Sequence, residues 1–146
     1  MERVILRCTI SSIIKGYFKM YNFINHLLSI IEIHLTCSKT NGSIEVIVNY
    51  KEEDYVLLRY PYGFELGCGD SKSGASQWIE GTARNGTNVI NTAANVSFPL
   101  CPSPLSPVSV RYCWRTDPCT FKMCPVYVQY YRGDLPSPPF ILDLQT

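Results

Sequence analysis

Short apolar runs that alternate with polar residues, with turn formers between them, restrict the fold of this chain more than any other feature. Ile31, Ile33, Leu35 and Cys37 alternate with polar neighbours, and so do Ile44, Val46 and Val48. A period of two puts the apolar members on one face of a half-buried strand. Between the two runs lies Lys39-Thr40-Asn41-Gly42-Ser43. Asn-Gly there is a strong hairpin signal, because both central residues of such a turn take positive φ. Further β-like runs follow at 56–60, 64–66, 77–79, 88–91, 108–114 and 126–130. They recur about every ten residues, the spacing of an antiparallel β-sandwich or jelly roll. No helical periodicity is found after residue 36. The proline-rich stretch 99–107 reads as a stiff connection between strands rather than as a ligand for an SH3-type groove. The fold expected is all-β.

The first thirty residues follow a different pattern. Residues 1–35 hold one cysteine, one glycine and no proline, whereas the rest hold six cysteines, eight glycines and all ten prolines. That step places a boundary near residue 30, with an atypical segment at 1–30 and a disulfide-rich β domain at 31–146. Tyr21, Ile24, Leu27, Leu28 and Ile31 fall at helical spacing, which predicts a short N-terminal helix with an apolar stripe. The stripe suits a helix packed on the domain, a helix on a membrane surface, or sequence foreign to this domain. Glu2, Arg3 and Arg7 interrupt the place where a signal peptide needs its apolar run, and no cleavage site is clear. Lys15, Lys19 and Glu32 break any span long enough to cross a membrane.

Composition excludes some functions. A chain of 146 residues, 46 % apolar and 17 % charged, has the makeup of one globular domain with room for an appendage. Thirteen Lys and Arg against twelve Asp and Glu give a formal charge of +1. Without a basic footprint, the electrostatic case for nucleic acid as a partner is missing. No cofactor motif is present.

The cysteines point to an oxidising compartment. Cys37, Cys68, Cys101, Cys113, Cys119 and Cys124 are the disulfide candidates, with fifteen complete pairings open to them. The local loop Cys119–Cys124 is the first expectation, and Cys8 is then the odd thiol. A C-x4-C spacing with no second matching pair is a poor zinc signature, so no metal is expected. Three Asn-X-Ser/Thr acceptors, Asn41, Asn85 and Asn95, are glycosylation candidates. Together these features predict a lysosomal or extracellular protein.

Two sets of residues invite a chemical reading. Gly67-Cys68-Gly69-Asp70-Ser71 resembles the nucleophile segment of GDSL-type esterases. A serine nucleophile needs a base to take its proton, and those esterases supply it from an Asp-X-X-His segment far downstream. Here the two histidines are His26 and His34, both before the serine. A polar turn between strands accounts for the segment equally well, and no catalytic residue is assigned. Trp78, Trp114, Tyr112, Tyr127, Tyr130 and Tyr131 could stack on sugar rings or pack in the core and at its rim. Arg111 and Arg115 alternate with Tyr112 and Trp114, so they should face the other way. There they could bind a carboxylate, including that of a sialic acid, or form cross-strand ion pairs.

The C-terminal third is similar to a known family. Val110-Arg111-Tyr112-Cys113-Trp114 leads into Pro118-Cys119-Thr120-Phe121-Lys122-Met123-Cys124-Pro125-Val126-Tyr127, and Leu135-Pro136-Ser137-Pro138-Pro139-Phe140 closes it. This order resembles the end of animal sialate O-acetylesterases, and Phe64-Glu65-Leu66 with Trp78 looks like their terminal β domain. The resemblance covers about residues 31–146. It implies a lysosomal or secreted glycoprotein family that removes O-acetyl esters from sialic acids by metal-free serine-hydrolase chemistry. It also implies that the serine and histidine segments lie in an N-terminal catalytic domain, which is one partner of this region, O-acetylated sialic acid being the other. Ser71 falls in the terminal domain and is not the family nucleophile. The chain is therefore expected to be a piece of such an esterase, inactive alone. The alternative is a secreted β domain that binds glycans or a protein without catalysis.

Overall fold

The alternation in residues 31–48 is realised as a hairpin within a larger antiparallel assembly. The computed structural model describes residues 8–10, 16–19, 28–40, 42–51, 55–70, 72–114, 119, 123–130, 133–137 and 139–144. In chain order the strands begin with β1 (Cys8–Ile10), β2 (Gly16–Lys19), β3 (Leu28–Lys39), β4 (Ser43–Lys51) and β5 (Val56–Leu58). They continue with β6 (Phe64–Asp70), β7 (Gly74–Glu80), β8 (Thr82–Ala83), β9 (Ile90–Asn91) and β10 (Ala94–Pro99). The last four are β11 (Ser106–Tyr112), β12 (Val126–Tyr130), β13 (Gly133–Pro136) and β14 (Phe140–Asp143).

These strands form three sheets. The largest runs β1-β3-β4-β10-β8, with β2 also paired to β3; the others run β14-β11-β6-β7 and β13-β12-β5-β9. All pairings are antiparallel, and Lys39 pairs with Ile44 across the Asn-Gly turn, where the Thr40 N–H donates to the Ser43 carbonyl at 2.9 Å.

Side-chain alternation explains how the sheets meet. Ile33, Leu35, Ile44, Val46, Val48, Val96 and Phe98 face inward from the six-stranded sheet. Phe64, Leu66, Val110, Tyr112, Phe140 and Leu142 do so from the second sheet, and Val56, Leu58, Val126 and Val128 from the third. All join one apolar cluster, and burial of that shared face is what holds three small sheets together. Tyr112 belongs to it, its ring centroid 4.8 Å from that of Phe64 and 5.8 Å from that of Phe140. The proline-rich connection carries the chain from β10 to β11, and the Cys68–Cys101 disulfide ties it to β6.

The expected N-terminal helix is not shown among the described residues. Where residues 1–30 are described, at 8–10, 16–19 and 28–30, they are strand. Leu28 and Ile31, two members of the apolar stripe, lie on β3; Tyr21, Ile24 and Leu27 lie outside the described residues. The β-branched run Ile30-Ile31 with Ile33 suits a pleated strand better than a helix, and β2 and β4 supply pairing partners on its two sides. β3 runs unbroken from Leu28 to Lys39.

β6 is buried on both faces for part of its length, because its outward positions include Gly67 and Gly69. A Cβ at Gly67 would lie 2.5 Å from the Ser109 Oγ and 3.0 Å from the Trp78 ring. Gly67→Ala is therefore expected to cost about 1–3 kcal/mol through overpacking. Denaturant titration followed by tryptophan emission would check this, because Trp78 has to shift with the backbone.

Candidate functional site

Two surfaces bring aromatic rings together with polar or charged partners. The first is the outer face of the second sheet. Glu65 and Arg111 are cross-strand neighbours on β6 and β11, facing away from buried Phe64, Leu66, Val110 and Tyr112. The Arg111 Nε and Nη2 donate to the two Glu65 carboxylate oxygens at 3.2 and 3.3 Å. The guanidinium also lies over Trp78, 3.9 Å from the ring centroid. Bidentate pairing and stacking together satisfy an arginine. Of the two roles open to Arg111, the structure selects the cross-strand ion pair. Partly exposed pairs of this kind contribute only about 0.2–1 kcal/mol, so the pair orients Trp78 more than it stabilises the sheet.

The second surface is a rim around the turn from β5 to β6. Gly63 carries φ +110°, and a Cβ there would lie 3.2 Å from each of Cys113 Sγ, Pro125 Cγ and Tyr112 Cε2. This positive-φ glycine sends the chain from the third sheet into the second, and its carbonyl accepts from the Cys113 N–H at 2.9 Å. The turn leaves Tyr60 and Tyr62 outside, with ring centroids 5.2 Å apart and planes 23° from parallel. The Tyr60 hydroxyl donates to the Met123 Sδ at 3.5 Å. Tyr62, Trp114 and Met123 are each about half exposed, at 47 %, 50 % and 50 %. Behind this rim the Arg59 guanidinium lies 4.6 Å from the ring centroid of Tyr127. The rim can stack flat apolar faces, and among the described residues it offers no acid–base pair.

The sequence candidates divide accordingly. Trp114 is exposed and Trp78 is half-buried beneath Arg111, whereas Tyr112 and Tyr127 are buried. Tyr112 Oη accepts from the Val126 N–H at 2.9 Å, and Tyr127 Oη accepts from the Cys124 N–H at 3.2 Å. Burial raises the Tyr112 and Tyr50 hydroxyls far above the ordinary tyrosine range. In Tyr50 the 2.9 Å hydrogen bond donated by Ser137 only partly offsets that effect. Neither phenol can act as a proton carrier near neutral pH. Arg115 and Tyr131 lie outside the described residues, and of Tyr130 only the backbone is described. Nothing in the sequence had singled out Tyr60, Tyr62 or Met123. The signal available was Tyr60-Pro61-Tyr62-Gly63, a turn bracketed by aromatics.

The remaining candidates are structural. Ser71 and His26 lie outside the described residues. Beside Ser71, the Asp70 Oδ1 accepts from the Lys72 N–H at 2.8 Å in the turn joining β6 to β7. His34 belongs to a different sheet, between inward-facing Ile33 and Leu35 on β3. Cys68 joins Cys101, and Cys119 joins Cys124. Cys37 is also disulfide-bonded, and Cys8 pairs with it in backbone register. Cys113, expected in a disulfide, is instead a buried thiol. It directly follows β11, where its Sγ closes on Gly63. The thiols at 119 and 124 are spent on each other, and among the described residues no cluster of His, Cys, Asp and Glu could hold a metal ion. Among those residues no helix is long and apolar enough to cross a membrane.

Comparison with known proteins gives a consistent picture. The family model described as sialate O-acetylesterase C-terminal domain matches residues 34–144. A sialate O-acetylesterase of Pongo abelii is 30 % identical over 78 residues, which is 53 % of this chain and 13 % of that protein. A sialate O-acetylesterase of Mus musculus is 28 % identical over 106 residues, 72 % of this chain and 17 % of that protein. The aligned part thus spans less than a fifth of the length of these relatives. No solved structure matches.

Proposed function

Since this chain belongs to the sialate O-acetylesterase C-terminal domain family, we propose that it serves as the non-catalytic β domain of a carboxylic ester hydrolase acting on O-acetylated sialic acids. In this reading, hydrolysis belongs to a separate catalytic domain, and the present chain does not release acetate by itself. The observation that carries the reading is the match of residues 34–144 to the family's C-terminal domain, and the turn after β6 is compatible with it. The Asp70 carboxylate there is engaged by the Lys72 amide, and the sole described histidine, His34, sits on another sheet. The serine-hydrolase chemistry that the family resemblance implies uses an imidazole as base in contact with the nucleophile. The disulfides support a lysosomal or extracellular setting.

The test is acetate release from an O-acetylated sialic acid by the purified chain. No release above buffer is the expected result; turnover that disappears in Ser71→Ala overturns the reading. A second reading, glycan or protein binding without catalysis, is favoured by the Tyr60–Tyr62 stack with exposed Trp114. Saturable quenching of tryptophan emission by sialylated glycans, lost in Trp114→Ala, would establish it.

A further inference from the structure

The two described Asn-X-Ser/Thr acceptors are not equivalent. Asn85 is a structural clasp. Its Nδ2 donates to the Asn91 Oδ1 at 3.2 Å and to the Ala93 carbonyl at 3.1 Å. Its Oδ1 accepts from the Asn95 backbone N–H. One carboxamide thus closes the segment from 85 to 95 and delivers the chain into β10. A sugar on Nδ2 replaces one of its two hydrogens, so one donation is lost. The sugar must also leave through space held by Asn91 or Ala93.

Asn95 has the opposite situation. It lies on β10 between buried Ala94 and Val96, which turns its side chain to the outer face of the six-stranded sheet, where it is exposed. Among the described residues its carboxamide makes no hydrogen bond. Its cross-strand neighbour is Ile47, an apolar side chain left 42 % exposed. Ser97, third residue of the acceptor, is buried and donates to Glu45 at 2.9 Å, so the completed fold fixes the backbone that carries the acceptor.

We propose that Asn95 is an N-glycosylation site whose first sugars lie over Ile47, and that Asn85 stays unmodified in the folded protein. The transfer joins the Asn95 Nδ2 to the anomeric carbon of a lipid-diphosphate-linked oligosaccharide. The carbon–oxygen bond to the diphosphate breaks, the lipid diphosphate leaves, and one amide proton is released. The inference rests on the proposed passage through a lumenal compartment. The test therefore supplies that passage with an appended secretion signal, so native targeting is a separate question.

The full chain is expressed in this form in animal cells, in an Asn41→Gln background, and the soluble lumenal and secreted protein is analysed together. Enzymatic deglycosylation followed by peptide mass spectrometry is expected to find the asparagine-to-aspartate change at Asn95 and not at Asn85. Asn95→Gln should lose one glycan mass, whereas Asn85→Gln should keep it. Deglycosylation should raise hydrophobic-dye binding, and less so in Ile47→Ser. A glycan on Asn85, or an empty Asn95, overturns the assignment. Dye binding unchanged by deglycosylation overturns the covering of Ile47. Because occupancy is read on the otherwise unaltered protein, misfolding of either variant does not obscure the outcome.

Discussion

Replacing Cys68 and Cys101 together by alanine is expected to lower the unfolding free energy by about 4 kcal/mol, as loop-closure entropy predicts for a bridge across 33 residues. The loop so closed contains β7, β8, β9 and β10, strands that belong to all three sheets. Cutting the bridge frees the proline-rich connection from β6 and enlarges the ensemble of the unfolded chain. The Cys119–Cys124 bridge spans only 5 residues, and its removal should cost less, about 2 kcal/mol on the same relation. Urea titrations of the two double variants give the comparison. Equal midpoints, or the reverse order, would mean that the long bridge does not organise the core.

Tyr112→Ala is expected to be the most damaging single side-chain truncation, at about 3–5 kcal/mol, the range for losing a large aromatic from a packed core. The ring touches Phe64 and Phe140, and its hydroxyl holds the first amide of β12. Tyr112→Phe separates these contributions: it keeps the ring and strands the buried Val126 N–H, at about 1–3 kcal/mol. The same hydroxyl makes stability depend on alkaline pH. Burial raises the folded-state pKa of both Tyr112 and Tyr50 above the unfolded value of 10.0. Their stabilising contribution is therefore complete below that value and is lost as pH rises past it. Each residue should remove about 1.4 kcal/mol per pH unit once the unfolded chain ionises. Unfolding measured from pH 8 to 11.5 should be flat and then fall, and the Phe variant at either position should halve the slope. A slope unchanged in both variants would exclude the two phenols as its source.

Individual strands show why part of this architecture can be read from sequence and part cannot. β3 and β4 are legible because Ile33, Leu35, Cys37, Ile44, Val46 and Val48 alternate strictly, and Asn41-Gly42 marks the turn between them. β10 is not legible in the sequence, although it lies between β4 and β8 in the largest sheet. Its alternation uses Ala94, Asn95 and Ser97, residues with little strand preference, and what holds it is pairing with β4 and burial of Val96 and Phe98. β14 is short and follows a run of prolines, so only its register with β11 makes it a strand. The C-terminal end of the N-terminal stripe shows the converse, because Leu28 and Ile31 lie on β3. A helical spacing of apolar residues existed, but the partners available to Leu28–Lys39 were strands.

The candidate surfaces divide in the same way. Arg111 could be placed outward by alternation alone, yet its partner Glu65 lies 46 residues away in sequence and comes beside it only through the β6–β11 register. Asn85 and Asn95 both satisfy Asn-X-Ser/Thr, and only the folded loop makes one a clasp and leaves the other open.

The amino-acid sequence by itself determined the all-β class, the antiparallel hairpin at Asn41-Gly42, the oxidising chemistry of the cysteines and the family, because periodicity, turn residues and ordered motifs are local properties. The tertiary structure alone decided which sheets share a core, which cysteines join, and which aromatic and amide side chains remain open to solvent. Those outcomes depend on pairings between residues far apart in the chain, and such pairings are selected by burial of a common apolar face rather than by any single residue's preference.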